Sequence, residues 1–459
     1  MKLAGAFPIA VVLAALSACG GGDADPAADA HPEARYARSE ASVERTAADW
    51  LTALPEGETK RWFVNQCAGC HMLDERVFMV DGAPRTEESW AEQTRAMIEM
   101  AGAETDFPIL RPSLDPDSLA AWLSRHQAQA PPEPGTAVDS PYSDEWEVTI
   151  YPMPDPQEVP HDVAVDSSGN VLVTGMGTHG MYLLEAGADS LRRIEIPVEL
   201  ANPRAVEVGP AGDWWVLLGH PRMLARYSPG SEEWQTWELG AYPHEIALDG
   251  DRVWFNGHFT KDPEILGYVD VATGEVETFE VPYPAMDDGG TTVPYGLRMG
   301  RDGRVWMTQL FGGRLVAFDP QNESFEAVEF SAGAGPRRHD VAPDGRIWVP
   351  EFGANRLAVH DPDAGTLEEH EFPIDDALPY VARVDGEGAV WVGTAAAGAV
   401  GRFDPASGAW DLIRLPLEAP LARHLAVDPR SGAVWGVVSP YPARNPALFR
   451  IVRKDGSER

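Results

Sequence analysis

Gln66-Cys67-Ala68-Gly69-Cys70-His71 matches the pattern C-x-x-C-H. Two thiols separated by two residues can add across the two vinyl groups of a haem, and the His that follows reaches the iron from the proximal side. A redox-active C-x-x-C of the thioredoxin kind needs a βαβ surround, which is absent here. A zinc site needs further Cys ligands, and the chain has only three Cys, the third being Cys19. None is left for a structural disulfide, so stability must come from ordinary packing. The expectation is one covalent haem c on Cys67 and Cys70, with His71 as an axial ligand.

Helices must position these groups. One leads into the motif from Thr59 to Asn65, with Trp62 and Phe63 to pack near the haem. A second is introduced by Thr86, with Glu87 and Glu88 in its first turn where the helix dipole favours acidic groups. A third runs from about Asp117 through Leu119, Trp122 and Leu123. This surround resembles a small, all-α, class I-type cytochrome c domain, and the resemblance implies a Met as the sixth ligand. Met79, Met97 and Met100 are candidates. Trp90 and Met97 lie seven residues apart and share a helix face. Thr86-x3-Trp90-x6-Met97, followed by Ala101-Gly102-Ala103, is similar to cytochrome domains of quinohaemoprotein amine dehydrogenases, which implies Met97. The alternatives are ligation by Met100 or His126, an open site, or a core role for Met97.

A second set of chemistry-bearing residues recurs in a repeat that begins after the Pro-rich break Ala130–Pro134. Each unit has a Pro and a polar residue, a short apolar strand, Asp-Gly or similar, and then an apolar-Trp pair. The Trp-equivalent positions are Leu172, Trp215, Trp254, Trp306, Trp348, Trp391 and Trp435. Seven periods near forty residues, with four short strands each, predict a mainly β fold, a seven-bladed β-propeller. Most units end on a short strand, but the last does not. Trp146–Pro152 has that strand's character and precedes the first unit, so it should pair into the last blade and close the ring.

Counting back eleven residues from each Trp position (ten in the third unit) gives His161, Arg204, His244, Tyr295, Arg337, Tyr380 and His424. These should open the innermost strands and ring one mouth of the channel. Arg298 and Arg383 fall three residues after their Tyr, and His258 follows the Trp of its unit. Such a ring suits an anionic group or a metal-bound oxyanion. The structural alternative is hydrogen bonding between neighbouring blades. His161-Asp162 and His244-Glu245 are expected to point to opposite faces of their strands and so not to form dyads.

Across about residues 146–453 the repeats resemble the virginiamycin B lyase (streptogramin lyase) family. The unit that carries the resemblance best is His339-Asp340-Val341-x-Pro343-Asp344-Gly345-Arg346-Ile347-Trp348-Val349-Pro350-Glu351-Phe352-Gly353-Ala354-Asn355-Arg356. In that family a similar His and Glu help hold a magnesium ion, which implies His339 and Glu351 here and a divalent metal such as Mg. The unit departs from the pattern: Asp340 follows the His where the family has Gly, and no other unit has Glu at the third residue after its Trp. The candidate catalytic set is His244, His339, Glu351 and His424, with His161, Arg298 and Arg383 lining a substrate channel.

The net charge of −36, from 72 acidic and 36 basic residues, repels nucleic acid and anionic lipid and argues against both as partners. Met1-Lys2 and the apolar residues 3–16 have the layout of a secretory signal, and Leu16-Ser17-Ala18-Cys19 resembles the lipobox of bacterial lipoproteins. The resemblance implies lipidation at Cys19 and a periplasm-facing anchor; Gly20 favours the outer membrane. The expected organisation is a signal peptide at 1–19, a flexible tether at 20–50, a cytochrome c domain at 51–128, a Pro-rich linker at 129–145 and a propeller at 146–455. Three functions follow: a redox lipoprotein whose propeller binds or oxidises a small substrate, a metal-dependent lyase acting on a cyclic ester, and a module docking the cytochrome to a redox partner protein. A lyase needs no electron acceptor, so the fused haem motif argues against the second.

Overall fold

A computed structural model of the chain describes residues 45–68, 72–105, 108–138, 142–260, 263–283, 286–417, 420–439 and 445–454. Cys19, Cys70 and His71 lie outside them.

The first part is mostly helical: α1 (Ala47–Leu51), α2 (Glu58–Cys67), α3 (Glu75–Phe78), a hairpin of β1 (Met79–Val80) and β2 (Ala83–Pro84), α4 (Glu87–Ala101) and α5 (Pro116–His126). Side chains fix the starts. Thr86 accepts from the Ser89 amide at 3.2 Å, and Asp115 accepts from the Ser118 amide at 3.1 Å with Pro116 in the first turn. The hairpin makes this part not wholly helical, because Asp81-Gly82 supplies two residues with positive φ that turn the chain back.

The rest is a ring of seven four-stranded antiparallel sheets. The inner strands are Pro160–Val165, Pro203–Val208, Pro243–Asp249, Pro294–Met299, Asp340–Val341, Pro379–Val384 and Ala422–Val427 in blades one to seven. Every Trp-equivalent position lies on the second strand of its blade and is buried. The indoles pack across blades: Trp254 meets Phe318 of the next blade at 5.7 Å, and Trp348 meets Phe403 at 5.7 Å. Burying a side chain of that size, about 200 Å², stabilises by about 5 kcal/mol before entropy is counted. β3 (Trp146–Pro152) pairs with Ala447–Arg453 in full register, Trp146 opposite Arg453 and Pro152 opposite Ala447. The first propeller strand thus completes the last blade and closes the ring on itself.

Inner strands run from an upper face, on which the helical part packs, to Asp-Gly turns on the lower face. Two expected boundaries shift. The tether's last residues form α1, where Thr46 and Asp49 cap each other, and the Ala48 amide donates to Ala396 O at 3.1 Å. Within the expected linker, Ala137 is buried, Val138 bridges Ile374, and the Asp375 amide donates to Ala137 O at 2.8 Å. Small Ala side chains allow both close backbone approaches.

Candidate functional site in the propeller channel

Six inner strands carry a register shift just after their first residue, for example between Pro160 and Val163, Pro243 and Ile246, and Pro294 and Leu297. Proline has no amide to give to the ladder, so it marks the bulge. The bulge re-aims the residues that follow it. This overturns the expectation that His161 and Asp162 face opposite sides: His161 Nδ1 lies 2.7 Å from Asp162 Oδ1. Backbone groups freed by the bulges are paired by side chains of the second strands. Thr174 donates to Arg204 O at 2.8 Å, Asn256 to Tyr295 O at 3.0 Å and Thr308 to Arg337 O at 2.7 Å.

The uppermost ring is His161, Arg204, His244, Tyr295, Arg337, Tyr380 and Arg423, all buried. The seventh member corrects the sequence reading. The turn between Val427 and Val434 is one residue longer than that between Val165 and Val171, so counting back eleven from Trp435 stops one residue short. Arg423 takes the mouth position, and His424 lies one step deeper. His244 donates from Nδ1 to Tyr295 O at 3.0 Å and stacks on His258 at 4.1 Å. Burial, then the charge of His258, holds His244 well below the usual imidazole range; burial and Arg204 do the same for His161. Both are neutral with a buried, unpartnered Nε2. Arg337 is enclosed by the rings of Phe352, Tyr380 and Tyr295 at 3.9, 4.5 and 4.8 Å and donates to Tyr295 Oη at 2.7 Å. Burial opposes ionisation of the Tyr380 hydroxyl, yet Arg423, Arg337 and Arg338 lower its pKa from the usual tyrosine range.

The second ring holds Asp162, Glu245, Arg338 and His424. Ligand-capable atoms of Asp162, Glu245 and His424 lie within 4.8 Å of one another. Arg338 pairs with Asp162 at 3.0 Å and with Glu245 at 2.8 Å. Sequence reasoning missed Asp162, Glu245 and Arg338 as a group; Pro160 and Pro243, which precede the bulges at Asp162 and Glu245, were the signal that could have found those two. Below lies a cavity of about 280 Å³ lined by Glu207, Arg298, Asp340, Arg383 and His424, with Val163 and Leu425 among its apolar walls. Arg298 contacts Glu245, Glu207 and Asp340 at 3.1, 3.4 and 3.6 Å. Arg383 donates to His424 Nε2 at 2.5 Å, and burial with the like charge of Arg298 lowers its pKa to about 10. Among the described residues, Arg204, Arg337, Arg383 and Arg423 have no carboxylate partner within ion-pair distance.

His161, His244, His424, Arg298 and Arg383 therefore share the channel. His339 is buried with both ring nitrogens unpartnered and feels Arg298 and Arg383. Glu351 has other surroundings: it pairs across the strand with Arg356 and lies near Glu369 and Arg61 of α2.

The helical part meets the channel's upper rim. Lys60 of α2 pairs with Asp376 at 2.7 Å, and Asn65 donates to Gly333 O at 2.9 Å. Asn65 fills the space a side chain would need at Gly335, whose φ of +64° also disfavours one, two residues before Arg337. Cys67, Trp62, Met97, Ile98 and Trp122 are half-buried against the core that holds Phe63, Trp90 and Leu123.

The model of the virginiamycin B lyase family matches residues 189–437, more than half of the chain. The chain belongs to the virginiamycin B lyase family. Among solved structures it is similar to a streptogramin B lyase, with a TM-score of 0.61 at 16% identity over 69% of this chain and all of that one. It is also similar to virginiamycin B lyase from Staphylococcus aureus, with a TM-score of 0.59 at 13% identity over 67% of this chain and 99% of that one. A catalytically inactive variant of the Staphylococcus aureus enzyme with quinupristin gives 0.60 at 14% over 67% and 99%. At these identities the likeness is one of fold. No curated protein matches the chain. The divalent metal that the family implies does not fit the second ring of this member, because a guanidinium already lies against its carboxylates.

Proposed function

We propose that the chain is an exported, lipid-anchored c-type cytochrome whose virginiamycin B lyase-like propeller holds a small anionic molecule in its channel for electron exchange. The observation that carries this reading is the seating of α2: the helix that ends on Cys67 of the C-x-x-C-H motif rests, through Lys60 and Asn65, on the rim beside Arg337. The half-buried apolar face around Cys67 and Met97 suits haem, which when bound supplies one-electron transfer. Cys67 and Cys70 would hold it covalently, with His71 and Met97 as axial ligands. In the channel, Arg383 and Arg337 offer N–H groups to an anion in a chain whose net charge is −36. The neutral imidazoles of His161 and His244 can each accept a proton at Nε2.

Cys67→Ala together with Cys70→Ala should leave no haem on the denatured chain, read by the pyridine haemochrome spectrum. Haem still attached to the double variant overturns the motif reading. Met97→Ala should remove the weak long-wavelength band of a Met-ligated ferric haem; its loss in Met100→Ala instead would move the ligand by about one helical turn.

Family membership favours a second reading, a lyase acting on a cyclic ester. Ring opening of quinupristin by the purified chain would support it, followed by chromatography and fragmentation spectra, because an elimination within one ring leaves the mass unchanged while hydrolysis would add water. The guanidinium of Arg338 against the carboxylates of the second ring, and the haem motif, favour the first.

A further inference from the structure

We propose that Arg338 is a resident cation standing where a divalent ion would otherwise sit, so that this propeller carries the positive charge of its second ring on a guanidinium and works without a metal there. Asp162, Glu245 and His424 come from blades one, three and seven, and their oxygen and nitrogen atoms converge as a ligand set would. All are buried. Each is already engaged by a guanidinium. Arg338 Nη2 lies 3.0 Å from Asp162 Oδ1, its Nη1 3.0 Å from Oδ2, and the same Nη1 2.8 Å from Glu245 Oε2. Arg298 donates to Glu245 Oε1 at 3.1 Å, and Arg383 Nη2 faces His424 Nε2 at 2.5 Å. On the other side of that ring the Val163 amide faces Nδ1 at 3.3 Å. A neutral imidazole has one lone pair, and at either nitrogen it already faces an N–H group.

Arg338 cannot readily swing away. Blade five leaves its own ladder between Pro336 and Asp340, and the backbone at Arg338 pairs with blade six instead. The Arg338 amide faces Tyr380 O at 3.3 Å, and the Ala382 amide donates to Arg338 O at 2.9 Å. Its side chain is 1% exposed. A divalent ion entering the ring would meet three guanidiniums within reach of its ligands, and like charges at that distance in a buried site repel strongly. The arrangement conserves charge type while exchanging a removable ion for a covalently held one.

The probe is MnCl2, titrated calorimetrically into the purified full-length protein. Wild type should show no saturable site at millimolar Mn²⁺, and its Tm should not change between MnCl2 and EDTA. Arg338→Met, which keeps length without charge, should bind Mn²⁺ at least tenfold more tightly than wild type, and Asp162→Asn added to it should abolish that gain. A folded Arg338→Met chain that binds no more tightly than wild type overturns the proposal. So does a saturable wild-type site that Asp162→Asn removes. That second comparison needs no Arg338 variant, so it decides the matter even if Arg338→Met fails to fold.

Discussion

Glu351 was singled out for its type and its place after Trp348, and its surroundings assign it a different property. It is buried, with neither carboxylate oxygen hydrogen-bonded. Burial, and then the charge of Glu369, push its pKa from 4.5 up to about 8. A carboxyl raised in the folded state binds its proton more tightly there than in the unfolded chain. Stability is then highest below the unfolded value of 4.5 and falls as pH rises toward 8. Glu264, raised to about 7, and Asp376, raised to about 6, both chiefly by burial, act in the same direction. The buried histidines His161, His244, His258, His339 and His424, all held well below 6.5, act in the opposite direction at acid pH but are neutral in both states above it. Wild type should therefore melt at a lower temperature at pH 8.5 than at pH 7, and Glu351→Gln should narrow that difference without removing it. An unchanged pH dependence in Glu351→Gln would mean that the carboxylate is solvated or paired in solution.

At the scale of elements, α2 matters because it joins the two parts. Lys60 is a buried cation held by Asp376 and by Glu56 one turn earlier in the chain. Removing one partner of a buried pair leaves the other charge uncompensated and costs about 3 kcal/mol. Lys60→Met should lower stability to urea by that order, and Lys60→Met with Asp376→Asn should recover much of the loss. If the single variant is as stable as wild type, α2 is not held to the rim by this pair. The neighbouring contact is tighter still: Asn65 packs on Gly333, Gly335 and Gly353, and at Gly353 an added Cβ would lie 2.2 Å from Gly333 O. The rim glycines thus serve close approach as much as turning.

For the whole molecule, the contrast is between an acidic surface and a channel rich in arginine. Net charge of −36 repels anionic membranes, so the proposed membrane location would rest on the acyl chains at Cys19. Cys19→Ser should shift the protein from the membrane fraction to the soluble periplasmic fraction, or leave it unprocessed, as followed by fractionation and immunoblot. A processed Cys19→Ser chain that still pellets with membranes would point to another anchor. The closure by β3 adds a second whole-molecule constraint: seven residues at the start of the propeller pair with its last strand, so the seventh blade has four strands only when both ends are present.

By itself, the sequence determined the features that depend on local period and pairing. Seven Trp-equivalent positions near a forty-residue spacing specify seven blades, the unpaired strand character of Trp146–Pro152 specifies the closure, and Thr86 and Asp115 stand where caps are needed. Most of the mouth ring was legible for the same reason, since one register places His161, Arg204, His244, Tyr295, Arg337 and Tyr380 together. Only the tertiary structure decided the rest. A bulge turns a rule of alternating faces into a hydrogen bond between His161 and Asp162, and one extra residue before Val434 exchanges Arg423 for His424 at the mouth. Which cation meets which carboxylate is not encoded in any one repeat. Asp162, Glu245, Arg338 and His424 lie in four different blades, and their charges interact only because ring closure brings those inner strands around one axis in a buried, weakly screened space.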